Sequence, residues 1–262
     1  MNRIHAQAGA LALLALTLAS LSGCSTQPPS TVGTLPLGDD PVTLDPAAFS
    51  ATIDNPSWPM TPGTRWTYRE TDPDGDELTV VVIVTSDTRM IANGITARVV
   101  RDTVYRGDTI IEDTFDWYAQ DQDGAIWYLG EDTAEFEDGH LSSTSGSFEA
   151  GVDGALPGIV IPADPQVGMR YRQEFSRGQA EDNGEILSLD EVVEVPAGLY
   201  ENVLMTRDTI TIEPDVEEHK FYAPGVGLVL TLDISGGSGR EELIRIDTVP
   251  DGTGLGPLGQ PD

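Results

Sequence analysis

From Thr64 onward the chain alternates strand-length apolar runs with glycine-bearing turns, and this alternation restricts it to an antiparallel β fold. LTVVVIVTSD (residues 78–87) is apolar and β-branched; ITARVVRDTVY, GEILSLDEVVEV, NVLMTRDTITIE and GLVLTLDIS share the Val, Ile, Leu and Thr enrichment. Side chains branched at Cβ suit a pleated, half-buried surface and lose rotamer freedom in a helix. Between the runs lie DPDGD, ANG, RGD, DQDG, EDNG, PAG and SGGSG. These supply glycine for positive φ, and Asp or Asn whose side chain bonds its own backbone. No segment beyond residue 23 sustains a 3.6-residue apolar period. Helix is therefore limited to short turns near 46–50 or 132–137.

The runs recur in order. PGTRWTYRE (62–70) resembles VGMRYRQEF (167–175), aligning Gly63, Arg65 and Trp66 with Gly168, Arg170 and Tyr171. Arg101-Asp102-Thr103 returns as Arg207-Asp208-Thr209, and Trp117-Tyr118-Ala119 as Phe221-Tyr222-Ala223. A tight turn and an apolar strand follow each of the last pair, AIWYLG in one half and VGLVLT in the other. An ordered set at offsets of about 105 residues argues for an internal duplication. The competing explanation is that antiparallel β proteins reuse one turn chemistry. The expected fold class is all-β: antiparallel sheets, with two duplicated β-repeats forming an open half-barrel or sandwich. The first repeat spans 49–145 and the second 167–250, with a flexible tail at 251–262. The Gly/Pro-rich connection at 146–166 carries Leu156, Ile159, Val160 and Ile161, too apolar for an exposed loop. It is expected to cover a sheet edge or concavity; a flap over a ligand pocket is the functional alternative.

At the N-terminus Arg3 precedes an apolar run, 8–19, that is short for a bilayer span and ends in Leu21-Ser22-Gly23-Cys24. A Leu, two small residues and a Cys just after the apolar run resemble bacterial lipoprotein precursors. That resemblance implies a signal peptide at 1–23, lipidation of Cys24, and attachment to the cell membrane or outer membrane on the extracytoplasmic side. An ordinary secretory signal is the competing reading. Cys24 is the only cysteine, so the exported domain carries no internal disulfide. Residues 24–48, rich in Pro, Ser, Thr and Gly, read as a disordered tether. FYAPGVGLV (221–229) resembles a segment of secreted bacterial antiparallel-β proteins. It is similar in style to the open half-barrels of periplasmic lipoprotein carriers and sensor domains. The whole chain resembles an uncharacterised acidic lipoprotein family of the envelope with no assigned activity.

The chain has 14 Lys+Arg against 44 Asp+Glu, a formal net charge of −30. Such a surface repels phosphate backbones, which excludes nucleic acid as a partner. It also repels anionic headgroups, so the membrane partner must be reached through the lipid at Cys24. Lys220 is the only lysine. Zinc-ligand spacing, a G-x-S-x-G elbow and a Walker loop are all missing, and 44 acids make chance carboxylate pairs common. Asp72, Asp74 and Asp76, and separately Asp121 and Asp123, place hard oxygens on tight turns and are the candidate Ca²⁺ ligands. Ordinary hairpin chemistry explains both clusters without a metal, and no other cofactor is indicated. Trp58, Trp66, Trp117 and Trp127, with Tyr118 and Tyr128, could stack on a sugar ring, though buried sheet core is the commoner fate of such residues.

One hairpin can be predicted in detail. In DTFDWYAQDQDGAIWYLGED (113–132), a three-residue loop Gln122-Asp123-Gly124 with Gly124 left-handed places Asp121 opposite Ala125 and Ala119 opposite Trp127. Phe115, Trp117, Ala119, Ala125, Trp127 and Leu129 then share one face, and a loop one residue different would split the tryptophans. Both tryptophans are expected in the core. Tyr118, Tyr128 and Asp116 on the other face remain for function. These features point first to a non-enzymatic, lipid-anchored binding or interaction module with an envelope protein partner. The alternatives are a carrier or sensor with an apolar cavity for a lipid-like ligand, and an envelope hydrolase using paired carboxylates.

Overall fold

The computed structural model describes residues 35–71, 75–235 and 239–261. A 3-10 turn at Pro46–Ala48 is the one short helix among them, capped by the Asp45 carboxylate accepting from the Ala47 amide. The strands in chain order are β1 (Phe49–Ser50), β2 (Thr64–Thr71), β3 (Glu77–Met90), β4 (Thr96–Arg106), β5 (Thr109–Asp121), β6 (Ile126–Glu137), β7 (His140–Ser143), β8 (Phe148–Glu149), β9 (Leu156–Ile161), β10 (Arg170–Arg172), β11 (Glu174–Phe175), β12 (Asp182–Val195), β13 (Gly198–Ile210), β14 (Glu217–Ala223), β15 (Gly227–Asp233) and β16 (Arg240–Thr248). The expected helical turn at 132–137 is instead part of β6.

All pairings are antiparallel, and hydrogen-bonded neighbours run β10-β12-β13-β14-β15-β16-β2-β3-β4-β5-β6-β9-β11. The two ends of this path belong to one short stretch of chain. β10 pairs with β12, the Gln173 amide donates to the Asp182 carbonyl, and β11 pairs with β9. Residues 170–175 thus bring the sheet's ends together and nearly close it into a barrel, which hides edges that would otherwise recruit other strands. The all-β, antiparallel expectation holds. Within the connection at 146–166, Leu156–Ile161 is itself a barrel strand, β9, with Ile159 and Ile161 buried.

The closure explains why β3 is apolar on consecutive residues. Val80, Val82 and Val84 point one way and Ile83 the other, and all are buried. Ile83 is covered by the chain after β16, which passes within van der Waals reach at Gly254. That chain is the segment expected to be a free tail. It crosses the outside of the ring to a buried ion pair. Arg101 Nε and Nη2 donate to Asp113 Oδ1 and Oδ2 at 2.9 and 2.6 Å, and both side chains are about fully buried. Arg101 Nη2 also donates to the Gln260 carbonyl (2.8 Å), and the Gly259 amide donates to Asp113 (2.7 Å). The tail is docked because a buried guanidinium–carboxylate pair retains donors and acceptors that need partners. The described part of the tether is held likewise: Arg172, fully buried at the seam, donates to the Gly38 and Asp40 carbonyls at 2.6 and 2.8 Å.

The 113–132 hairpin forms in the expected register. The Asp121 amide bonds the Ala125 carbonyl, Gly124 has φ 102°, and Ala119 faces Trp127. Trp117 and Trp127 are 4% and 6% exposed. Their cover is a second layer on the outside of the ring: Phe49 meets Trp127 edge-on at 6.0 Å, and the Arg89 guanidinium lies 3.9 Å over Trp117.

Candidate functional site

Strand parity selects what faces the barrel interior. On β4 Asp102 and Val100 point inward, while Arg101 and Thr103 point outward to Asp113. On β13 Asp208 points inward, while Arg207 pairs with Glu185 outside. The recurring Arg-Asp-Thr thus has the same use in both halves: an outer ion pair and an inner carboxyl. Tyr118 on β5 and Tyr222 on β14 also point inward. Between them sits Trp58, with ring centroids 5.6 Å from Tyr118 and 5.5 Å from Tyr222.

Trp58 comes from the loop before β2, which closes one end of the barrel. Asn55 anchors that loop by donating to the Gly124 carbonyl (2.7 Å), and the Gly225 amide donates to the Pro56 carbonyl (2.7 Å). Gly227 makes the fit; at φ 100° it has no Cβ, and one placed there would lie 2.2 Å from the Trp58 ring.

Above this aromatic floor the interior holds a cavity of two lobes, each about 320 Å³, sharing Trp58, Tyr118, Lys220 and Tyr222. Glu131, Glu174, Asp182 and Asp208 line one lobe; Asp102, Asp116, Glu218 and Glu241 line the other. A third cavity of about 410 Å³, lined by Glu70, Asp215, Asp233 and Arg240, shares Glu218, Thr231 and Glu241 with the second lobe and leads outward from it.

Lys220 supplies the interior ammonium, 3.3 Å from Asp208 and 3.3 Å from Glu218. Burial opposes its charge, but Glu218 and Asp208 outweigh burial and hold its pKa well above the ordinary lysine value. One ammonium does not neutralise this many carboxyls. Burial, reinforced by neighbouring acids, pushes Glu241 up to about 8 and Glu131 to about 8. Burial likewise takes Asp182 to about 6, against the pull of Lys220, and holds Asp102 and Glu174 well above the ordinary range. At neutral pH Glu131 and Glu241 keep their protons, while Asp208 and Glu218 flank the one fixed cation, Lys220.

Tyr128 shows the consequence in one contact. Its hydroxyl lies 2.6 Å from Asp116 Oδ1 and 3.1 Å from Glu131 Oε2. A phenol has one proton to donate, so one of these contacts is satisfied only when that carboxyl is itself protonated and donates to the phenol oxygen. Asp116 is accordingly raised by burial to about 7, although the Tyr128 hydrogen bond pulls the other way. A bulge creates the geometry. Asp116 pairs with Glu131 but Tyr118 pairs with Tyr128, so β6 carries an extra residue and turns both Tyr128 and Glu131 inward.

The face left for function, Tyr118, Tyr128 and Asp116, is therefore the cavity wall. Trp66, Trp117 and Trp127 are core, and of the tryptophans only Trp58 lines the cavity. The lining corrects the expectation of an apolar cavity: carboxyls, phenols and an ammonium occupy it because the inward positions of β4, β5, β13, β14 and β16 carry them. Of the candidate calcium ligands, Asp76, Asp121 and Asp123 lie among the described residues. Asp121 spends Oδ1 on the amides of Asp123 and Ala125 and Oδ2 on Trp127 Nε1. Asp123 lies in that same turn, and Asp76 pairs with Arg106 at 3.8 Å at the other end of the barrel. Asp72, Asp74 and Cys24 lie outside the described residues. No group of three or more His, Cys, Asp or Glu among the described residues is placed to hold a metal ion. Lys220, Asp102, Asp208, Glu131 and Glu241 were missed as site residues. The available signals were the repeated Arg-Asp-Thr and the solitary lysine.

No protein-family model matches the sequence, and no curated protein matches it. Two solved structures are similar. One, from Bacteroides fragilis NCTC 9343, is described as an exported protein with a YmcC-like fold: 14% identity, 73% of this chain and 98% of that chain covered, TM-score 0.46. The other, from Parabacteroides distasonis ATCC 8503, is described as a lipoprotein: 12% identity, 76% of this chain and 100% of that chain covered, TM-score 0.40.

Proposed function

We propose that this protein is a non-enzymatic binding module of the bacterial envelope, anchored by lipid at Cys24, whose barrel interior holds a small polar ligand. The supporting observation is the cavity: an aromatic floor of Trp58, Tyr118 and Tyr222 beneath carboxyls gathered around Lys220, with a way out past Thr231. Filling a barrel core with carboxyls costs stability that apolar packing would not, so a binding role accounts for their presence. The two halves are read as a duplication, since Gly63 and Gly168 donate alike to the Val84 and Ile186 carbonyls at 2.8 and 2.8 Å.

Two experiments test this reading. Native mass spectrometry of the full-length protein, extracted from its own membrane in mild detergent, should show a reproducible small-molecule adduct. Val100→Trp, which fills one lobe, should lose that adduct; finding only bare protein in every preparation would sink the reading. Cys24→Ser should abolish acyl labelling and release the protein from membranes.

A hydrolase using paired carboxylates is the second reading, favoured by Asp116 and Glu131 meeting across Tyr128. Asp116 at about 7 and Glu131 at about 8 could divide base and acid roles near neutral pH. The binding reading is preferred because it accounts for the whole lining, Lys220 and the aromatic floor included.

A further inference from the structure

The two halves of the cavity differ at one telling position. Aligning Tyr118 with Tyr222 places Asp116 opposite Lys220, and the Arg-Asp-Thr repeat places Asp102 opposite Asp208. In the second half Asp208 is fully served: Thr206 donates to Oδ1 at 2.7 Å, and Gln173 and Lys220 reach Oδ2 at 3.0 and 3.3 Å. In the first half the ammonium's place is taken by a carboxyl. Asp102 Oδ1 is buried with no hydrogen-bond partner among the described residues. So is Thr231 Oγ1, on a residue only 8% exposed that lines the same lobe directly across from Lys220. Two orphaned oxygens facing one cavity are costly unless something donates to them.

We infer that the lobe bounded by Asp102, Asp116, Thr231 and Tyr68 binds the ammonium group of a small organic amine, which does for Asp102 what Lys220 does for Asp208. This rests on the proposed binding role and deepens it by naming the ligand class. An ammonium has three donors to offer, and the lobe, which Lys220 also lines, presents the oxygens of Asp102, Asp116 and Thr231 to it. Tyr68 and Tyr118, aromatic residues of the kind that attract a cation, line the same lobe. A bare metal ion fits less well, since the described residues hold no compact set of three or more ligating groups. The volume of about 320 Å³ admits a molecule of amino-sugar or diamine size.

The test is isothermal titration calorimetry of the full-length protein with glucosamine, putrescine, glucose and calcium chloride. Glucosamine or putrescine should bind saturably, and glucose, the neutral partner of glucosamine, at least tenfold more weakly. Asp102→Asn should weaken amine binding at least tenfold and Thr231→Val about threefold, while the exposed Asp132→Asn leaves it unchanged. Should Asp102→Asn fail to fold, Thr231→Val and the comparison of glucosamine with glucose on the unaltered protein still decide the matter. Equal binding of glucose and glucosamine would overturn the amine assignment while leaving a cavity that binds ligands. Stronger binding of calcium than of either amine, or no saturable heat from any amine, would also overturn it, and the adduct experiment above judges the binding role independently.

Discussion

Replacing Asp116 by Asn should stabilise the protein at alkaline pH. Folding raises the Asp116 carboxyl from 3.8 to about 7 because it is buried beside Tyr128, with the Glu112 charge adding to the rise. For a carboxyl raised by folding, the neutral form suits the native state. Its contribution is fully present below pH ~4, where both states hold the proton, and is lost as pH rises to about 7. The shift spans about three pH units at ~1.36 kcal/mol each, so about 4 kcal/mol is forfeited by pH 8. Asn has nearly the shape of the protonated carboxyl, and its amide oxygen can accept from the Tyr128 hydroxyl. It has no proton to lose. Urea unfolding followed by tryptophan fluorescence at pH 5 and pH 8 measures the difference. Over that range the variant should gain roughly 3 kcal/mol on the wild type. A stability difference that does not change with pH, or that favours the wild type more at pH 8, would refute the claim that Asp116 is held neutral by its surroundings.

Lys220→Met should cost about 1–3 kcal/mol at pH 8, because Asp208 and Glu218 lose their shared, half-buried partner. The cost should shrink towards pH 5, where Asp182 and Glu241, both held down by Lys220, can take up protons; the same urea series reads it. Arg101→Met leaves Asp113 charged and unpaired and should destabilise by about 3–5 kcal/mol. It should also expose 251–261 to carboxypeptidase, since Arg101 and Asp113 hold that segment. Gly227→Val should push Trp58 off Tyr222 and cost about 1–3 kcal/mol, seen as a lower melting temperature and altered tryptophan emission. Calcium at millimolar concentration should give no heat attributable to Asp121, whose oxygens are already engaged by its own turn.

The sequence by itself determined the β class, its antiparallel character and the register of the 113–132 hairpin. These depend on neighbours in the chain: a three-residue loop ending in Gly124 fixes which residues face each other, so Ala119 against Trp127 was readable. It also separated Tyr118, Tyr128 and Asp116 from Trp117 and Trp127, because alternation along a strand is local. It did not say that both faces would be buried. That followed from closure through Arg170–Phe175, which turned one face into a cavity wall and let flanking segments cover the other. The role of 251–261 was hidden for the same reason, since a Gly/Pro-rich run looks alike whether free or docked on Arg101. Lys220 is the plainest case. Alternation along one strand puts Glu218 on its face, but only the pairing of β13 with β14 brought Asp208 within 3.3 Å of its ammonium. Turns and alternation act over a few residues, but a carboxyl's proton is governed by charges and burial that converge from strands far apart in sequence.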